Sequence, residues 1–214
     1  EELDIPANTI TYSYFRGLAS RAGVLDAAAT YNTISYSTMN SQTNSGLSIA
    51  GDRNVVTRSY MITFSGSSDG LFLDSSFNSV SFSTAVAAAG GYGLELKRSS
   101  NTITNSYFFS DGGYAGDVWT TGDSNSISNS TFSIINGSAK AALLFESPVA
   151  GNTVDSSYII SSNSGYGIRL DGSSNRIMRS TIVVTAVGYE SVFIGGDSNL
   201  LERVMIANPV TYGI

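Results

Sequence analysis

The chain has 214 residues, 42% of them hydrophobic, enough for a sizeable core. Only 13% are charged, against about 25% in an average globular protein, and a net charge of −6 argues against nucleic acid as a partner, since phosphate binding relies on clustered Lys and Arg. The absence of cysteine and histidine excludes disulfides, thiolate metal sites and every Ser–His or Cys–His arrangement, so no cofactor and no metal site is expected. No apolar run approaches the ~20 residues needed to cross a membrane.

Along the chain, one asparagine returns at intervals of 22 to 27 residues: Asn8, Asn32, Asn54, Asn78, Asn101, Asn125, Asn152, Asn175 and Asn199. Two positions later every copy is aliphatic, from Ile10 and Ile34 to Ile177 and Leu201. Five positions later stands a serine, from Ser13 to Ser180, broken only by Val204. Seven positions later the residue is again apolar, as in Phe15, Met39, Phe108 and Ile182. Upstream of the asparagine lies a further strand: GLSI from Gly46, GLFL from Gly70, GLEL from Gly93 and GIRL from Gly167, with DVWT from Asp117 and SVFI from Ser191 as looser copies.

Alternation over a few residues, punctuated by Gly, Ser and Asn, signals short half-buried strands rather than helices. Three strands per coil give a triangular cross-section. No single coil can bury its own inward residues, so about nine coils must stack at about 4.8 Å. The asparagines are expected to turn inward at a corner, each amide bonding the next. The longest interval, Asn125 to Asn152, predicts a small bulge in the coil holding Lys140, Ser147 and Pro148.

The N-x-I-x-x-S-x-I core, seen from Asn8 to Phe15 and from Asn32 to Met39 with G-[IL]-x-L upstream, resembles the parallel β-helix repeat of the NosD-like and pectate-lyase-like superfamily. That resemblance covers essentially the whole chain. It implies an all-β, single-stranded right-handed parallel β-helix and a secreted or surface location, but no particular activity, because the fold carries lyases, hydrolases, adhesins and spacers alike.

Residues 1–214 are therefore expected to form a single β-helix domain. Leu3 falls where a coil is half complete and Tyr212 to Ile214 begin another, so the chain is expected to be a segment of a longer repeat protein, open to self-association through uncapped ends.

Chemistry must come from the outer faces. The strand upstream of the asparagine turns outward Phe72 with Asp74, Glu95 with Lys97, Trp119, Glu146, Arg169 with Asp171, and Phe193. Phe72, Trp119 and Arg169 are candidate carbohydrate-binding residues. Glu95, Asp171, Asp74 and Glu146 are candidate acids and bases, since carboxylates one or two coils apart lie roughly 5 or 10 Å apart, bracketing the spacings of glycosidases. Against catalysis stands an ordinary cross-coil pair such as Asp74 with Lys97. The strand after the asparagine offers a Ser/Thr array, Thr9 and Thr11 through Ser126 and Ser128, of the kind that binds ice.

From coil regularity, the leading expectation is a non-enzymatic extracellular or cell-surface solenoid, a structural spacer or adhesive scaffold. A carbohydrate-binding or carbohydrate-active domain acting on a polysaccharide or surface glycan is the alternative, and an ice-binding solenoid the third.

Overall fold

A computed structural model describes residues 7–163, 165–185 and 187–207. Among these, 26 short strands form three parallel sheets of nine, nine and eight strands, and no helix is present. Sheet I holds the strands that follow the asparagines, from Thr9–Thr11 through Val55–Thr57 to Leu200–Glu202. Sheet II follows the serines, from Tyr14–Gly17 to Met205–Ala207, and sheet III runs from Gly23–Leu25 to Val192–Ile194. Each strand pairs with the equivalent strand of the next coil, so a residue's neighbours are its counterparts one repeat away.

Inward columns make the core. Ile34, Val56, Val80, Ile103 and Ile127 line it from sheet I, Met39, Met61, Ala85, Phe108 and Phe132 from sheet II, and Leu47, Leu71, Leu94 and Leu143 from sheet III; all are buried. Phe108 and Phe132 stack with ring centroids 5.1 Å apart.

The turns into and out of sheet I explain the two polar columns. At the first, each asparagine's backbone N–H donates to Oδ1 of the asparagine one coil on, at 2.8–3.0 Å, from Asn8 through to Asn199. The amide nitrogen bonds the next Oδ1 only from Asn8, Asn32 and Asn152. Elsewhere it serves the turn before it, as when Asn101 Nδ2 donates to the carbonyls of Ser75 and Arg98. The side chain thus bonds mainly backbone, because a coil leaving one sheet for the next leaves N–H and C=O groups without ladder partners. At the second turn, each serine backbone N–H donates to the next serine's Oγ, as from Ser59 to Ser83 at 3.2 Å, and that hydroxyl donates to a carbonyl two residues back.

Both turns need a left-handed residue. Tyr12, Tyr36, Arg58 and Phe82 have φ of 47–50° at one, and Tyr31, Arg53 and Phe77 have φ of 57–60° at the other. Later coils place Asn105, Asn129, Ser156, Arg179 and Arg203 at the former position, and Ser100, Ser124, Gly151, Ser174 and Ser198 at the latter. A bulky side chain there costs about 1–2 kcal/mol, more than the roughly 0.5–1 kcal/mol that an exposed cation–π contact returns.

The three extra residues between Asn125 and Asn152 fall between the strands Thr131–Ile135 and Ala141–Phe145, so the bulge lies in the expected coil, beside Lys140. Leu3 and Tyr212 to Ile214, on which the expectation about the ends rested, lie outside the described residues.

Candidate active groove

The outer face of sheet III carries one continuous row, in register from coil to coil: Ser48, Phe72, Glu95, Asp117, Leu144, Arg169 and Phe193. A second row, fixed by backbone bonds at the strand ends, holds Asp74, Lys97, Trp119, Glu146 and Asp171. A third, just before the strands, holds Asp69, Tyr92 and Tyr114, then Ala141 and Tyr166.

This register corrects the sequence reading at one coil. The repeat copy is Ala115-Gly-Asp-Val, not DVWT from Asp117, so Asp117 stands beside Glu95, and Trp119 stands beside Lys97. The misreading has a physical cause. Gly116 occupies an inward position filled by leucine in the coils either side, because the Phe132 ring takes that space; a Cβ on Gly116 would lie 2.5 Å from Phe132 Cε1.

Three carboxyls gather here. Asp69, Glu95 and Asp117 are 7%, 6% and 1% exposed. Asp69 and Glu95 share a hydrogen bond, and Asp69 is pushed up to about 8, first by burial and then by the Glu95 charge. Asp69 is thus the donor of the pair. Glu95 accepts that proton and faces Lys97, whose Nζ is 3.4 Å from Glu95 Oε1 and is sandwiched between the Phe72 and Trp119 rings, 4.9 and 4.8 Å from their centroids.

Asp117 is different. Neither of its buried carboxyl oxygens has a hydrogen-bond partner among the described residues. Burial, then the charges of Glu146, Glu95 and Asp69, pushes it up to about 8, so it carries its proton at neutral pH. Beside it, burial raises Tyr92 to about 12 and also raises Tyr114, which keeps both phenols as donors. Their rings pack 5.6 Å apart, and Lys140 caps Tyr114 at 4.8 Å.

The other candidate residues lie on the same face but not at one point. Glu146 is raised by burial and by Glu95 and Asp171. Arg169 Nε sits 2.8 Å from Asp171 Oδ2, off the line of a good hydrogen bond, and its guanidinium lies 5.2 Å from the Phe193 centroid. Asp74 pairs with Arg98 at 2.9 Å, not with Lys97. Asp74, Asp171 and Arg169 therefore make pairs along the groove, while Glu95, Phe72 and Trp119 surround Lys97 next to Asp117.

Sequence reasoning missed Asp69, Asp117, Tyr92 and Tyr114. A signal was available: a tyrosine recurs three residues before Glu95, Asp117 and Arg169, at Tyr92, Tyr114 and Tyr166. Among the described residues no group of three acidic side chains is arranged to hold a metal ion.

The chain belongs to the right-handed β-helix family, whose model matches residues 4–132. Among solved structures, it is similar to the mannuronan C-5 epimerase AlgE6 A-module of Azotobacter vinelandii, with a TM-score of 0.71 at 13% identity over 95% of this chain. It spans 58% of that protein's chain. An alginate lyase from Paenibacillus sp. str. FPU-7 is similar with a TM-score of 0.53 at 15% identity, over 94% of this chain and 93% of the other. Comparison with curated protein sequences gives no match.

Proposed function

We propose that this β-helix is a carbohydrate-active protein that lays a polysaccharide along the face of sheet III and acts on it by proton transfer. One observation carries the reading: Asp117 is a buried carboxyl with both oxygens unpartnered, at an outward position of the groove floor. Burying an unpaired polar group costs stability, and the next coil fills the same row with Leu144. A solenoid serving only as a spacer or adhesive scaffold gains nothing from an acid there. An enzyme does, because burial keeps a carboxylic acid protonated near pH 7.

The roles follow from the protonation states. Asp117, carrying its proton, is the general acid or the donor to an oxygen that gathers charge. Glu95, raised by burial but offset by Lys97 and by the hydrogen bond from protonated Asp69, is the acceptor. Tyr92 and Tyr114 add phenol donors on one side. Phe72 and Trp119 offer rings to sugar faces, and Arg169 with Lys140 suits an acidic sugar. Action on an extracellular or surface glycan would place the protein outside the cell, as a module of a larger chain.

The similar structures are a mannuronan C-5 epimerase module and an alginate lyase, which puts uronate polymers first on a substrate panel, followed by neutral glucans and galactans. Three readouts cover the proton-transfer chemistries: new reducing ends, ultraviolet absorbance of an unsaturated end, and uptake of solvent deuterium into the polymer. At least one is expected to advance with time and protein concentration. Silence on all three across the panel would contradict the reading.

A further inference from the structure

We infer that the outer face of sheet I in the first four coils is a second glycan-binding surface, selective for a carboxylated polysaccharide and independent of the sheet III groove. The observation is a pair of parallel aromatic–arginine rails. On one edge of the sheet Tyr12 stacks on Tyr36 at 4.9 Å, and Arg58 lies between Tyr36 and Phe82, 5.5 and 5.2 Å from their centroids. On the other edge Arg53 lies between Tyr31 and Phe77, at 5.6 and 5.5 Å. All seven side chains are exposed.

The rails are not explained by the needs of the coil. Every one of these residues sits at a left-handed position, where the later coils use Asn, Ser, Gly or an arginine with a carboxylate partner, Arg179 with Asp155 and Arg203 with Glu202. Aromatic rings at these positions are confined to one stretch of the solenoid, and there, with Arg53 and Arg58, they flank a strip of Thr33, Ser35, Val55, Thr57, Ser79 and Ser81, with hydroxyls bonded across coils at 3.0–3.2 Å.

Charge identifies the occupant. Arg53 and Arg58 have no carboxylate within ion-pair distance among the described residues, on a chain of net charge −6. Asp52, next to Arg53 in sequence, turns instead to the Ser76 N–H at 2.8 Å. A guanidinium held between two rings keeps its N–H edge free, and that edge matches a carboxylate. The two arginines bracket Val55–Thr57 on a single coil, Arg53 before the strand and Arg58 just after it. A linear polyuronate crossing the sheet meets both, with sugar hydroxyls over the Ser/Thr strip and ring edges at either side.

The test is retention of the full chain by affinity electrophoresis in gels containing polygalacturonate or, as a neutral polymer, hydroxyethyl cellulose. The parent is expected to be retarded by polygalacturonate, increasingly so at low salt. The Arg53→Gln/Arg58→Gln variant is expected to lose at least tenfold in apparent affinity, with an unchanged circular dichroism spectrum and unchanged turnover of a short oligosaccharide. Asp117→Asn is expected to be retarded like the parent even where its turnover is lost, so this surface and the groove fail separately. Equal retardation of parent and double arginine variant, no retardation of the parent, or equal loss with the neutral polymer would overturn the inference.

Discussion

At the scale of single residues, Asp117 ties the chemistry to a measurable cost. In the unfolded chain an aspartate gives up its proton near pH 4, whereas Asp117 and Asp69 hold theirs up to about 8. Between those values the native state binds more protons than the unfolded state, so stability falls as pH rises through this window. Urea unfolding of the parent is expected to show stability declining steadily from pH 5 to pH 8. Asp117→Asn, which cannot ionise, is expected to flatten part of that decline; an equally steep decline would show that Asp117 ionises freely in the fold. Glu95, Phe72 and Arg169 were legible in sequence because they occupy the outward place in a strand that repeats, whereas Trp119 was found but given the place that Asp117 holds. Asp117 was not, because its coil breaks the repeat that would have revealed it.

The break lies at the scale of the element. Gly116 surrenders its inward place to the Phe132 ring, which leaves the coil without the G-[IL]-x-L pattern and shifts the apparent register by two residues. Gly116→Ala brings a methyl group within 2.5–2.8 Å of Phe132 and Leu143 ring and methyl carbons. Overpacking there is expected to cost about 1–3 kcal/mol by urea unfolding, and a cost near zero would mean that the ring moves freely. The turns change in the same coils. Leu94 precedes Asn101 by seven residues, but Gly116 precedes Asn125 and Leu143 precedes Asn152 by nine, and the added residues follow Trp119 and Glu146. Together with the insertion beside Lys140, these longer turns border Asp117 on both sides. The repeat therefore shows how the sheets are built. The longer turn recurs in the first coil, where Gly23 precedes Asn32 by nine, and only around Asp117 does it come with the insertion.

Across the whole molecule, stacking turns one set of contacts into nine. The apolar columns announced the architecture because identical positions must meet identical positions when coils stack in register. The asparagine column contributes differently, by satisfying backbone at every turn into sheet I. Asn101→Ala removes one acceptor and two donor bonds from a buried corner, stranding the Asn78 N–H and the Ser75 and Arg98 carbonyls. A loss of about 2–4 kcal/mol is expected from leaving such groups unpaired. A change within about 0.5 kcal/mol, the range of an ordinary surface substitution, would mean that the corner carries little of the fold's stability.

The central claim is that a buried, protonated Asp117 performs chemistry on a polysaccharide. Turnover of the most responsive polymer by the parent and by Asp117→Asn, at equal concentration and near neutral pH, tests it most directly. Loss of the acid is expected to lower the rate by about 10²–10⁴-fold, the usual contribution of a positioned acid or base, while the circular dichroism spectrum stays that of the parent. A variant that folds like the parent and turns over the polymer at the parent's rate would contradict the account.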